Sequence, residues 1–309
     1  MRNEGLIYTA AAALCLGWLL SPGASHAAKG RNFNISTQGD AAGCADLHAT
    51  SSAELSQLNS SFTLSKGEAP VLEINSADRG QIHVHAWDHA DYSIETCRIA
   101  VADNRAMADQ IARGISVNHT AGTITFNGPA TDQGEWTVVF FVHAPKDAAL
   151  NLESKNGPIE VKGINGPVRL RAANGPIAVN DCGGIIEVHT KNGPIAFHGD
   201  RGDVHLNAEN GPIAVHLAGE TWNGSSLEAR TLNGPLAVHL PDGFRSGIRL
   251  ETSGRSPIAC QAALCRNAWT DLSRAGRTMQ MNGANDAIRL STENGPVAVQ
   301  GSSDPRKRF

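Results

Sequence analysis

From Leu150 to Val215 the chain sets apolar residues in pairs two positions apart: Leu150/Leu152, Ile159/Val161, Val168/Leu170, Ile177/Val179, Ile186/Val188, Ile195/Phe197, Val204/Leu206 and Ile213/Val215. Each pair begins nine residues after the one before it. The residue inside each pair and the one following it are mostly polar or small. Such alternation predicts a short strand with one buried face, because successive side chains of a strand point to opposite sides.

Turn residues separate the strands. Asn-Gly-Pro followed by an apolar residue begins at Asn156, Asn165, Asn174, Asn192, Asn210, Asn233 and Asn294, and Gly183-Gly184 and Arg201-Gly202-Asp203 fill the two missing steps. The expectation is that Asn and Gly turn the corner through left-handed backbone and that Pro, lacking an N–H, interrupts the ladder. A lone nine-residue unit cannot bury its apolar side, so units must stack and face one another. The stronger Asn-Gly-Pro copies recur at every second unit. The repeat therefore predicts a two-faced β-solenoid of 18 residues per coil, about seven coils and roughly 30 Å long at the usual strand spacing. One face comes from the units at Asn156, Asn174, Asn192, Asn210 and Asn233, the other from those at Asp147, Asn165, Gly183 and Arg201. Later strands are expected at Ile248/Leu250, Pro257/Ile258, Ile288/Leu290 and Asn294 to Val299. Insertions at about 219–225 and 261–283 are expected to project as loops, the second as a small ordered flap.

Upstream of the repeat the pattern is less regular. Residues 67–146 read as a β-rich cap, with strands near Val71 to Ile74, Gln81 to Trp87, Tyr92 to Ile99, Ile115 to Asn118, Thr123 to Phe126 and Trp136 to Val142. A short helix is expected from Asp103 to Arg113, capped by Asp103 and stopped by Gly114. Residues 28–66, rich in Ser, Asn, Gly and Thr, read as a loosely ordered leader with one or two strands. Residues 1–27, with Arg2, an apolar run from Leu6 to Leu20 and small residues at Ser25 and Ala27, read as a secretory signal peptide. The repeat domain is placed at 147–300 and a basic tail at 301–309. The fold class is thus mostly β, a solenoid behind an N-terminal cap containing one short helix.

Composition adds limits. Cleavage after Ala27 would leave 282 of 309 residues, enough to bury a core without disulfides. The whole chain carries 26 basic and 30 acidic side chains, a net charge of -4, with no clustered basic face that would point to nucleic acid. No second apolar run reaches membrane-spanning length, so the mature chain is expected to have no membrane span. Export permits disulfides. Cys44 with Cys97 and Cys260 with Cys265 are candidate pairs, leaving Cys182 as a buried or corner thiol, but spacing does not fix the connectivity.

The pattern resembles the bacterial putative-adhesin β-strand-repeat family of unknown function, over approximately Gly80 to Val299. The carriers are Gln81-Ile82-His83-Val84-His85-Ala86-Trp87-Asp88, the lead-in Ala144-Pro145-Lys146, the run Leu150-Asn151-Leu152-Glu153-Ser154-Lys155-Asn156-Gly157-Pro158-Ile159, and the copies that follow. That family commonly turns on Ser/Asn-Gly-Asp-Ile/Val. This chain mostly has Pro in place of Asp, while Arg201-Gly202-Asp203-Val204 keeps the acidic form. The resemblance implies an exported cell-envelope protein with a solenoid fold.

Candidate chemistry is sparse. On one face Ala178, Ala196, Ala214 and Ala237 occupy the fifth position of the unit, and Asn180, His198, His216 and His239 the seventh. The other face carries Arg169, Arg171, Glu187, His189, His205, Glu228 and Arg230. The smooth, weakly charged side is the candidate contact surface, since an uncharged flat β-surface invites a partner. Neutral imidazoles at His198 and His216, or at His83 and His85 on one strand face, could ligate a metal. Parallel side chains without third and fourth ligands read instead as solvated polar stripes, so no metal and no cofactor are expected. Asn156, Asn174, Asn192, Asn210 and Asn233 are expected to bond to one another as a structural turn ladder. Arg201-Gly202-Asp203 occupies a corner and is read as scaffold, not as a cell-attachment motif.

A catalytic reading, a polysaccharide lyase or hydrolase, needs clustered carboxylates or an acidic metal site. Glu160, Asp181, Glu187, Asp200, Asp203 and Glu209 fall at scattered register positions, and no nucleophile-elbow, zinc-helix or phosphate-loop motif is present. The sequence therefore predicts a non-catalytic, adhesin-like binding scaffold of the periplasm, cell envelope or extracellular space, with a cell-envelope polymer or protein as partner. The alternative is a sensory or structural component of envelope stress.

Overall fold

The computed structural model describes residues 33–37, 40–76, 80–130, 132–253, 256–273, 276–283 and 287–302. The signal-peptide expectation at 1–27 and most of the expected basic tail lie outside them.

Two long, largely parallel sheets hold most of the described residues, with a separate two-stranded ribbon and one α-helix. The twelve-stranded sheet runs in space through Ser116–Thr120, Thr123–Asn127, Val71–Ser76, Ala149–Ser154, Val168–Ala172 and Ile185–Asn192. It continues through Asp203–Asn210, Ser226–Asn233, Ile288–Asn294, Ile248–Ser253, Gly276–Met281 and Trp269–Leu272. Its outward side is studded with charge, and it is called here the ionic sheet. The eleven-stranded alanine sheet runs through Glu54–Ser65, Asp91–Ala102, Gly134–Pro145, Gln81–Trp87, Ile159–Lys162 and Ile177–Asn180. Ile195–Gly199, Ile213–Leu217, Leu236–Pro241, Val297–Ser302 and Ile258–Cys260 complete it.

In both sheets the central strands pair with partners 18 residues away, as in Ile159 with Ile177 and Leu150 with Val168. The apolar pairs of the two sheets point at one another and form one continuous core, in which Ile177, Val179, Ile195, Phe197, Val204 and Leu206 are each no more than 1% exposed. Burial of these rows, one from each strand, supplies the main drive for the sheets to face each other.

The corner glycines act through a different cause from the one expected. None of the glycines in the Asn-Gly-Pro copies has a positive φ. Each instead lies close over backbone of the strand below, a glycine's in every copy but that at Asn165, where Gly166 meets Ala148: a Cβ on Gly175 would sit 2.2 Å from the Gly157 carbonyl oxygen, and one on Gly193 2.2 Å from that of Gly175. Only a residue without a side chain permits this approach. Above each proline, the carbonyl accepts the N–H of the residue that opens the strand one step back, as Ile159 N donates to Pro176 O at 3.0 Å.

The corner asparagines join through their amides. Asn174 Nδ2 donates to Asn156 Oδ1 at 2.9 Å, Asn192 to Asn174 at 2.8 Å, Asn210 to Asn192 at 3.0 Å, and Asn233 to Asn210 and Asn294 to Asn233 each at 2.9 Å. Two residues before each asparagine the side chain turns inward and is small: Ser154, Ala172, Thr190, Ala208, Thr231 and Thr292 are all buried. Thr231 and Thr292 each donate to a corner glycine carbonyl, Gly211 O at 2.9 Å and Gly234 O at 3.0 Å.

Some local expectations are corrected and others are met. The helix spans Arg105–Gly114 and is capped by Asn104, not Asp103; the Asn104 Oδ1 accepts from Met107 N at 2.9 Å. Within the leader, where one or two strands are expected, residues 54–65 form a long twelve-residue strand antiparallel to Asp91–Ala102. The insertion at 219–225 does not simply project, because Trp222 is 7% exposed and lies 6.0 Å from the Phe197 ring. The insertion at 261–283 builds a 3-10 turn and the antiparallel strands Trp269–Leu272 and Gly276–Met281, which extend the ionic sheet at its end. Disulfides join Cys44 to Cys97 and Cys260 to Cys265. Cys182 is free and buried, and its burial pushes the thiol up to about 11.

The order of the last strands also departs from the chain order. Ile288–Asn294 pairs on one side with Ser226–Asn233 and on the other with Ile248–Ser253, and Val297–Ser302 likewise lies between Leu236–Pro241 and Ile258–Cys260. The terminal strands thus enter a slot between two earlier layers.

Candidate functional site

The outward side of the alanine sheet consists of straight columns, because parallel strands in register place equivalent side chains one above another. Ala178, Ala196, Ala214, Ala237, Ala298 and Ala259 follow each other across neighbouring strands. Beside them run Asn180, His198, His216, His239 and Gln300. Two positions before each alanine of the Asn-Gly-Pro copies stands the corner proline, which the alternation of the strand places on the same side.

The imidazole wall is uncharged near neutrality in its central part. The rings of His216 and His239 stack with centroids 4.2 Å apart and an interplanar angle of 1°. Burial, then the neighbouring His239 and His198, push His216 down to about 4, and burial lowers His239 as well. His198 differs, since its Nδ1 lies 3.0 Å from Asp181 Oδ1 at the far corner.

The same columns continue toward the N-terminal end with different residues. Glu160, His83 and Phe141 extend the alanine column, and Lys162, His85 and His143 extend the imidazole column. Here the face is covered by the ribbon Phe33–Thr37 and Leu47–Ser51, whose Phe33, Leu47 and Cys44 pack on Cys97, Ile99, Val139 and Phe141. The Cys44–Cys97 disulfide and an ion pair from Lys162 Nζ to Asp40 Oδ2 at 2.7 Å fasten the ribbon down.

This cover corrects the reading of His83 as a solvated strand histidine. His83 is 5% exposed, stacks on Phe141 at 5.0 Å and places its Nδ1 3.0 Å from Glu160 Oε2. The His83 contact holds the Glu160 carboxyl below the usual carboxylate range. His85 is half-buried, and burial lowers its ring despite the opposing pull of Glu160. The structure does not bring His83 and His85 to a third ligand: among the described residues no group of three or more His, Cys, Asp or Glu side chains could hold a metal ion. Sequence reasoning missed the covering ribbon, since nothing in the alternation of Phe33 to Ser51 says on which face it lands.

Arg201-Gly202-Asp203 forms a corner with Gly202 at φ 114°. The Asp203 carboxylate is turned onto the sheet, accepting from Ser226 Oγ at 2.7 Å and lying 3.4 Å from His205 Nε2. Among the described residues no helix is long and apolar enough to cross a membrane.

No protein-family model matches the chain, and no curated protein matches it. Solved structures with a similar arrangement include a putative cell adhesion protein from Clostridium sporogenes, 10% identical over 80% of this chain and 99% of that one, with a TM-score of 0.33. A putative adhesin from Bacteroides fragilis is 9% identical over 80% and 97%, with a TM-score of 0.39. A putative lipid binding protein from Parabacteroides distasonis is 10% identical over 79% and 96%, with a TM-score of 0.31.

Proposed function

We propose that the chain is an exported cell-envelope scaffold that binds a partner, without catalysis, on the outward face of its alanine sheet. The observation that carries this reading is the alanine column of that face from Ala178 to Ala298, whose central members Ala214 and Ala237 are each 9% exposed, beside a stacked histidine pair held neutral. Flat uncharged β-surfaces left open to solvent mark contact sites. The covered end of the same face supports it, because there the chain's own ribbon packs on the continuation of these columns.

The 18-residue spacing of strand partners supports a solenoid of two-strand coils as the underlying architecture. Two disulfides and the apolar run after Met1 support passage to an oxidising compartment. The envelope partner is a polymer or protein. A pull-down from envelope extract with the full chain, paired with a glycan array, tests the reading. Lysines at both Ala196 and Ala214 are expected to abolish retention while leaving the thermal melt in place. Retention that survives this double substitution sinks the proposal.

A further inference from the structure

The opposite side of the molecule carries a second, chemically different feature. On the outward face of the ionic sheet a shallow hollow of about 270 Å³ is lined by Arg169, Arg171, Glu187, His189, His205 and Asn207. Three adjacent parallel strands supply it, Val168–Ala172, Ile185–Asn192 and Asp203–Asn210. Register places Arg171, His189 and Asn207 in one column and Arg169, Glu187 and His205 in the next.

The two columns are occupied differently. Arg169 Nε donates to Glu187 Oε2 at 2.7 Å, and that contact holds the Glu187 carboxyl below its usual range. His205 lies between Asp203 at 3.4 Å and Glu228 at 3.6 Å. The other column keeps its donors. Arg171 is exposed and makes no ion pair within 4.0 Å among the described residues, although Glu153 is its register partner on the preceding strand. The Asn207 amide is exposed and makes no hydrogen bond to another described residue, and His189 Nε2 lies 3.6 Å from Glu209. With Glu187 bonded to Arg169 and feeling the Arg171 charge only at longer range, the hollow has a guanidinium fork with no carboxylate within 4.0 Å among the described residues.

We propose that this hollow binds carboxylate groups of an acidic polysaccharide lying along the sheet. Arg171 takes a carboxylate in its planar fork, and Asn207 and His189 bond the neighbouring ring hydroxyls. Arginine matches a carboxylate with two parallel N–H donors, which a lysine cannot reproduce. Amide and imidazole groups both donate and accept, as sugar hydroxyls require. A single exposed ion pair is worth only about 0–1 kcal/mol, so a lone monosaccharide would be held weakly. A polymer gains from repeated engagement at high effective concentration. The open shape of the hollow also leaves both ends free for a chain to continue. This inference concerns the other face of the molecule and does not rest on the alanine-face reading.

The test is calorimetric titration of the full chain with polygalacturonate, with fully methyl-esterified polygalacturonate, and with dextran sulfate of matched charge density. Binding of polygalacturonate is expected, weakened at least tenfold by methyl esterification. Arg171→Glu is expected to lower affinity at least tenfold and Arg171→Lys to give an intermediate value. Arg113→Glu, at the exposed end of the helix Arg105–Gly114 and away from this sheet, leaves affinity within twofold. Thermal melts of the variants show that the fold is kept. The proposal is overturned if polygalacturonate fails to bind, if dextran sulfate binds equally well, or if Arg171→Glu changes nothing. A failed titration leaves the envelope pull-down unaffected, so the two readings fail separately.

Discussion

The two long edges of the paired sheets use glycine for opposite reasons. Along the Asn-Gly-Pro edge, Gly157, Gly175, Gly193 and Gly211 keep φ out of the left-handed region and stack so closely that a Cβ would fall 2.0–2.2 Å from a carbonyl oxygen below. Along the other edge, Gly163, Gly184, Gly202 and Gly219 take φ values of 71° to 114°. At Gly219 a Cβ would meet nothing nearer than 3.6 Å. The first edge is therefore limited by space and the second by backbone conformation, with space limiting as well at Gly184, where a Cβ would lie 2.4 Å from the Asn165 carbonyl oxygen. Uniformity follows from the first cause, since every layer must repeat the same contact. The second edge tolerates variety, and it is where Trp222, Cys182 and the Asp181–His198 contact are found.

Asparagine substitutions separate the two causes, because asparagine tolerates left-handed backbone but carries a Cβ. Gly193→Asn is expected to cost about 2–4 kcal/mol in urea unfolding, as overpacking against backbone cannot relax. Gly219→Asn is expected to stay within about 0.5 kcal/mol of the parent, whereas Gly219→Ala costs about 1 kcal/mol. Equal losses at Gly193 and Gly219 would erase the distinction. A smaller effect is expected from Asn192→Ala, which removes one amide bond below and one above. It should lower stability by about 1 kcal/mol without changing polymer or envelope binding; a melting temperature equal to the parent's counts against the ladder.

The Asn-Gly-Pro ladder is made of amides and carbonyls, which do not titrate in the physiological range. Acid should act on the face instead. Folding lowers the His216 ring to about 4 from the ordinary imidazole value of about 6.5, so the unfolded chain binds more protons between those values. The contribution is fully present above pH 6.5 and is lost as pH falls toward 4. The ring is partly solvated, so the loss is on the order of 1 kcal/mol or less. His216→Gln is expected to flatten the pH dependence of stability in this window, and an unchanged slope refutes the assignment.

Much of the core could be read from the alternation itself. Ile177 and Val179, or Ile195 and Phe197, are separated by one residue and recur at a constant step, and a strand offers no other way to bury both. The columns Ala178 to Ala237 and His198 to His239 follow from the same step. The reason for the corner glycines was not readable, because a Gly beside Asn fits both a left-handed turn and a close backbone contact. Nor was the cover over His83, which depends on where Phe33 and Leu47 pack far along the chain. The hollow at Arg171 needed coordinates as well: Arg169 and Arg171 alternate with the same buried pair on one strand, and the Arg169–Glu187 contact sets them apart.

The slot taken by Ile288–Asn294 and Val297–Ser302 separates order along the chain from order in space. Strands that come later in the sequence lie as interior layers, flanked by Ser226–Asn233 and Ile248–Ser253 in the ionic sheet. Deleting residues 288–302 would therefore not trim an outer layer. It would open a gap between Ser226–Asn233 and Ile248–Ser253. The 248–281 segment, with its disulfide and its antiparallel strands, reaches the rest of its sheet through a strand that follows it in sequence.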